Sequence, residues 1–90
     1  MSEPFAISIA EADDAVTLTL VGELDLSAVD AFDAALQAIG SGGRSVVIDL
    51  ADLTFVDSSG IGCFVRARSA ALEAGSTLLL RSPSPQVRKV

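Results

Sequence analysis

The sequence predicts a small α/β domain, a mixed β-sheet with helices packed on it, in the order β-β-α-β-α-β-α. Two kinds of apolar periodicity predict it: alternation typical of strands at the start of the chain, and three-to-four spacing typical of helices further on. Strands that alternate with helices imply parallel neighbours joined by right-handed crossovers, whereas the first two strands imply an antiparallel hairpin. Ninety residues suit one domain, so we treat 1–90 as a single unit.

The first half of the chain predicts a hairpin followed by a helix. Alternating apolar residues predict strands at 5–9 and 16–21, on either side of a polar, acidic loop at 11–14. Ser27, with an acidic residue three positions later, resembles a capping box, and Gly40 is a typical C-terminal stop. Between them, one stripe of an amphipathic helix is formed by Val29, Phe32, Leu36 and Ile39.

The second half predicts two strands and two helices. The short apolar run at 46–50 is typical of a buried strand, and 77–80 predicts the fourth strand. A helix is expected between them, from about Ser59 to near Gly75. Its inward residues are expected to be Ile61, Phe64, Val65 and Leu72. A third helix is expected to begin after Ser84, with a proline at its first position.

Residue types that are missing narrow the chemistry. The chain contains no histidine, which excludes Ser-His-Asp and Cys-His catalysis and removes the commonest metal ligand. The single cysteine, Cys63, cannot form an internal disulfide and, inside a helix, suits a small apolar role better than a reactive one. The glycine-rich stretch 40–45 lacks the Gly-Lys-Ser/Thr ending of a phosphate-binding loop. We therefore expect no enzyme activity, no cofactor and no metal.

The charge is distributed unevenly along the chain. The net charge is −6, and residues 1–43 carry eight acidic groups and no basic one. Such a chain is a poor binder of phosphate backbones, so nucleic acid is not an expected partner, whereas a basic protein surface would be attracted to it. No apolar run approaches the roughly 20 residues that cross a bilayer. We expect a soluble, cytoplasmic protein without membrane insertion.

The stretch FVDSSGIG, residues 55–62, carries the chemistry of interest. It places Asp57, Ser58, Ser59 and Gly60 at a predicted turn from a strand to a helix. Aspartate and serine are preferred helix caps, and taken alone the stretch favours that interpretation. A helix N-terminus also tolerates a phosphate, because its free N–H groups and dipole favour negative charge. A phosphorylation switch is therefore the second interpretation.

Two motifs, one of which contains this turn, together resemble a known protein family. GELDLS (22–27) and VVIDLADLTFVDSSGIG (46–62) resemble a STAS domain of the anti-sigma-factor antagonist type, a bacterial family. The resemblance implies partner switching: the unphosphorylated form binds an anti-sigma factor that is also a serine kinase, which frees a sigma factor for transcription. Phosphorylation by that kinase releases the antagonist, and a serine phosphatase restores it. A residue can cap the helix and accept phosphate as well.

The resemblance also implies residue roles. Ser58, the serine directly after the aspartate, would be the phosphate acceptor, with Asp57 orienting its hydroxyl. Gly60 would permit close approach by the kinase. The acceptor loop and partner-binding surface would comprise Asp57, Ser59, Gly60, Ile61, Glu23 and Asp25. A phosphate there adds like charge to an acidic surface, so release by repulsion and release by steric exclusion are both open.

The chain departs from the family pattern at its C-terminus. Family members continue with the rest of a helix, a further strand and another helix, whereas this chain reaches Val90 early in the expected third helix. An uncovered last strand would leave a sheet edge through which two copies could pair. The alternative function is accordingly a STAS subunit or fragment in a transport assembly, such as a lipid ABC transporter, or in a stress-signalling assembly.

Overall fold

One mixed four-stranded sheet forms the centre of the structure, a computed structural model that describes residues 4–39 and 44–82. The strands lie side by side in chain order. They are β1 (Ala6–Glu11), β2 (Ala15–Leu24), β3 (Ser45–Val56) and β4 (Leu78–Arg81). β1 pairs with β2 antiparallel, and β2–β3 and β3–β4 pair parallel. The predicted initial hairpin and parallel neighbours are confirmed.

Two α-helices provide the parallel crossovers. A 3₁₀ turn (Leu26–Ala28) leads into α1 (Val29–Ile39), and α2 (Ser58–Glu73) connects β3 to β4. Both crossovers step to the next strand in the same direction, so right-handed connections place α1 and α2 on one face of the sheet. The first six predicted elements are thus confirmed. The predicted third helix lies outside the described residues.

The core lies between this helical layer and the sheet. Alternate residues of β2, from Val16 to Leu24, are buried under the helices, and their neighbours face the other side. The rings of Phe32 on α1 and Phe64 on α2 meet edge to face with centroids 6.0 Å apart, an arrangement that adds to the hydrophobic contact. This aromatic pair and the Arg66–Asp33 ion pair both join the two helices.

The face of α2 differs from the predicted one. Phe64 is buried and Ile61 half-buried, as expected, but Val65 and Leu72 are 60% and 58% exposed. The inward stripe instead consists of Gly60, Cys63, Phe64, Ala67 and Ala71. Small residues occupy this stripe because α2 lies close to the sheet. The larger apolar residues Val65 and Leu72 lie on the outer side, so their predicted inward position is wrong.

An ion pair joins β4 to the rest of the sheet. Asp49 on β3 accepts a hydrogen bond from the Ala51 N–H and another from Arg81 Nη2 on β4, each at 3.0 Å. These hydrogen bonds, the backbone one foremost, lower the pKa of Asp49 below its usual value of 3.8, and burial only partly opposes them.

We predict that Asp49→Asn removes a pH-dependent part of the stability. Because the folded-state pKa is lowered, the carboxylate stabilises the fold above the unfolded pKa, and this contribution is lost as the pH falls through the folded pKa. The difference in unfolding free energy between wild type and Asp49→Asn should be flat at neutral pH and shrink below about pH 4. Urea titrations across pH measure it.

Asp52→Asn is the matched control, since it removes the same charge from the same strand. Asp52 is exposed and forms no ion pair within the described chain. An equal pH dependence in both variants would contradict a specific role for Asp49.

Candidate functional site

The candidate site lies where β2 and β3 end side by side. The last paired residues of the two parallel strands are Leu24 and Val56, both buried. An aspartate follows each of them, Asp25 after β2 and Asp57 after β3, and a helical turn begins directly after each aspartate. The two sequence motifs therefore meet at one edge of the sheet, because the carboxyl ends of parallel strands face the same way.

Asp57 caps α2. One of its carboxylate oxygens accepts the Gly60 N–H at 3.1 Å, and its carbonyl accepts the Ile61 N–H at 3.0 Å. Its own N–H donates to the carbonyl of Leu24 at 3.4 Å, which ties the loop to the neighbouring strand. The predicted cap is confirmed. Asp57 is held by hydrogen bonds both to α2 and to the end of β2.

The serines differ in exposure. Ser58 is exposed at the first position of α2, whereas Ser59 is half-buried at the second. Ile61, half-buried, packs against the core cluster. Of the two serines, Ser58 is therefore the more accessible to another protein.

Gly60 has a structural role that the sequence analysis missed. It is buried, and a Cβ built there would lie 2.6 Å from the carbonyl oxygen of Leu24 and would overlap a methyl group of Val56. The N-terminus of α2 can approach the ends of β2 and β3 only because this position has no side chain. A glycine on the buried face of a predicted helix was the available signal.

Asp25 caps the 3₁₀ turn that precedes α1. Its Oδ1 accepts the Ser27 N–H at 3.0 Å and the Ser27 hydroxyl at 2.6 Å. The capping box predicted from Ser27 is therefore wrong. The chain turns two residues earlier than expected, and aspartate is as good an N-cap as serine.

Three carboxylates at this edge form no ion pair within the described residues. Glu23 lies half-buried on β2 beside Phe55 of β3, two residues before the Asp25 cap. Within 4–39 and 44–82, ion pairs join Arg44 to Glu11, Arg66 to Asp33 and Arg81 to Asp49. The structure thus brings Glu23, Asp25 and Asp57 to one end of the sheet, and no described arginine forms an ion pair with them.

The described residues offer no other obvious chemistry. No group of three Cys, Asp or Glu residues among them is arranged to hold a metal ion. Cys63 is fully buried, and burial raises the pKa of its thiol, which disfavours the reactive thiolate. In the part of the chain that the structure covers, no helix combines the length and hydropathy needed to cross a membrane.

Comparison with known proteins gives consistent matches. A family model described as "Mlab, STAS domain" matches residues 7–90. The anti-sigma F factor antagonist of Lysinibacillus sphaericus is 40% identical over 80 residues, which span 86% of this chain and 68% of that protein.

Solved structures agree with these sequence matches. The anti-sigma factor antagonist SpoIIAA in its unphosphorylated form is 36% identical, with a TM-score of 0.68 over 93% of this chain and 76% of its own. SpoIIAA from Bacillus is also known in a phosphorylated form, 33% identical with a TM-score of 0.69 over 93% of this chain and 78% of its own. A murine anion transporter, Slc26a9, shares the fold alone, at 19% identity and a TM-score of 0.76 over 89% of this chain and 14% of its own.

We predict that Gly60→Ala destabilises the protein, because the new methyl group would enter occupied space against Leu24 and Val56. Overpacking of this kind typically costs about 1–3 kcal/mol. Gly62→Ala is the control, since its Cβ would meet only the flexible end of Arg66 at 3.3 Å and the helix would gain propensity. Thermal and urea unfolding of both variants measure the difference, and an equally mild effect at both glycines would refute the packing role.

Proposed function

Because the chain belongs to the STAS domain family, we propose that it is an anti-sigma-factor antagonist. In this proposal the unphosphorylated form binds an anti-sigma factor that is also a serine kinase, and the bound sigma factor is released. Phosphorylation of Ser58 switches binding off, and a serine phosphatase restores it. The observation that carries the proposal is the position of Ser58: exposed, first in α2, and directly after the capping aspartate.

The local structure suits a hydroxyl that gains and loses phosphate. Ser58 is not itself the cap, because Asp57 accepts the Gly60 N–H. Its hydroxyl can therefore react without removing a hydrogen bond that the structure gives to the cap. A phosphate at the start of a helix faces free N–H groups and the positive end of the dipole, so the helix tolerates about −1.5 to −2 charges there.

The surroundings suit a switch in binding. Glu23, Asp25 and Asp57 already make this edge acidic, and a dianion would add like charge. Unfavourable like charges at an interface can cost several kcal/mol, enough to dissociate a micromolar complex. Repulsion and steric exclusion both lead to release.

The alternative is a STAS subunit or fragment of a transport or stress-signalling assembly. The likeness to the Slc26a9 transporter supports only the fold, because the identity is 19%. The acceptor-like position of Ser58 and the identity to antagonists of 33–40% favour the first proposal.

We predict that one phosphate is added to Ser58 by a kinase of this type. The chain is incubated with Mg-ATP and each anti-sigma factor of the histidine-kinase-like ATPase fold from the same genome, and its intact mass is measured. One added phosphate is expected with the cognate kinase, and Ser58→Ala should abolish it. Ser59→Ala is the matched control and should still be modified, since Ser59 is half-buried.

Two results would contradict the proposal. Phosphate that persists in Ser58→Ala and disappears in Ser59→Ala would show that the acceptor is Ser59 and not Ser58. No phosphate with any candidate, on a chain shown to be folded by circular dichroism, would favour the assembly-subunit alternative and leave Asp57-Ser58 as a helix cap.

A further inference from the structure

The ends of β2 and β3 repeat one local structure. In each, a buried apolar residue is followed by an extended aspartate that caps a helical turn: Asp25 has φ −122° and ψ −171°, and Asp57 has φ −106° and ψ −170°. Leu24 and Val56 are partners across the parallel ladder. Two residues beyond that pair come Leu26 after β2 and Ser58 after β3. Leu26 therefore occupies the position after β2 that the proposed acceptor occupies after β3.

Leu26 is unusually exposed for an apolar side chain. Its 75% exposure is the highest among the exposed large apolar residues of the described chain. A polar residue at this position would serve the 3₁₀ turn equally well, because Asp25 and Ser27 supply its capping hydrogen bonds. Nothing in the local fold accounts for a leucine here.

A second exposed apolar side chain lies three residues before Ser58 in the sequence. Phe55, 46% exposed, pairs with Glu23, whose neighbours on β2 point under the helices, so both face the side of the sheet opposite the helices. Leu26 and Phe55 thus both lie within two residues of the Leu24–Val56 pair, at the edge that carries Ser58. We call Leu26 and Phe55 the apolar flank of the acceptor.

The charges around this flank define the chemistry of what covers it. Glu23, Asp25 and Asp57 lie at the ends of β2 and β3, and Asp52 lies further back on β3, paired with Val21. None of the four forms an ion pair with another described residue. Apolar anchors surrounded by charge of one sign are complementary to an apolar pocket rimmed by charge of the opposite sign. The matching surface carries arginine or lysine around an apolar pocket.

We propose that Leu26 and Phe55 are the apolar anchors by which the kinase partner docks over Ser58, with arginine or lysine of that partner facing the acidic rim. This inference rests on the proposed function and adds to it the side chains that supply affinity. It also accounts for release by steric exclusion: a phosphate on Ser58 would stand next to Leu26 and keep the docked partner from seating on this anchor.

Isothermal titration calorimetry tests the proposal. It measures binding of the full chain to the purified anti-sigma factor/serine kinase at two salt concentrations. Truncation of a buried interface anchor is expected to weaken binding by about tenfold or more, so Leu26→Ala and Phe55→Ala should each do so. Leu72→Ala is the matched control: this leucine is similarly exposed, at 58%, but lies near the far end of α2. It should change binding by less than about twofold.

Salt dependence separates the anchors from the acidic rim. Glu23→Gln should reduce the loss of affinity at high salt, because it removes a charge that faces the basic rim. Leu26→Ala should lower the affinity at both salt concentrations and leave that dependence unchanged. Circular dichroism melts close to wild type are expected for Leu26→Ala, because an exposed side chain contributes little to the core.

Each outcome supports or overturns the inference. Tight binding of the wild type together with unchanged binding of Leu26→Ala and Phe55→Ala would overturn it and leave the proposed function intact. An equal loss in Leu72→Ala would overturn it as well, since the effect would not be specific to the flank. Failure of every candidate kinase to bind or modify the wild type would overturn the proposed function and the inference together.

Discussion

Parallel pairing of β2 with β3 is the constraint on which the rest of the structure depends. It brings Leu24 and Val56 together, so the aspartates that follow them cap two neighbouring helical turns at one edge. It also forces the start of α2 against both strands, which only a residue without a side chain at position 60 permits. The turn at residues 57–60 is therefore held by core packing at Gly60 and by the Asp57 cap, and Ser58 in it is exposed.

This division would let one short segment serve folding and the proposed regulation through different residues. Asp57 and Gly60 bear the local stability, through a cap hydrogen bond and close packing. Ser58, Leu26 and Phe55 contribute little to the core and face outward. A modification at Ser58 can thus change what the edge binds while the fold beneath it is retained, which is the property that a partner switch requires.

Much of this arrangement could be predicted from the sequence, because periodicity and cap chemistry are local. The four strands, the two α-helices, the mixed sheet and the capped turn at Asp57 follow from patterns within a few residues. What could not be predicted depends on contacts between distant segments. Whether Val65 or Ala67 faces the sheet depends on how close α2 lies to it, and the exposure of Leu26 depends on where the chain turns after Leu24. The repeat between the ends of β2 and β3 appears only once the strands are in register.

The central claim is that phosphate on Ser58 alters the surface and leaves the fold intact. Amide chemical shifts and thermal unfolding of the unmodified and Ser58-phosphorylated chains test it most directly. The account predicts shift changes confined to the edge formed by 23–27 and 55–61, with an unfolding midpoint close to that of the unmodified chain. Shift changes spread through the sheet, or a large fall in the midpoint, would show that the modification acts by disrupting the fold and would contradict the account.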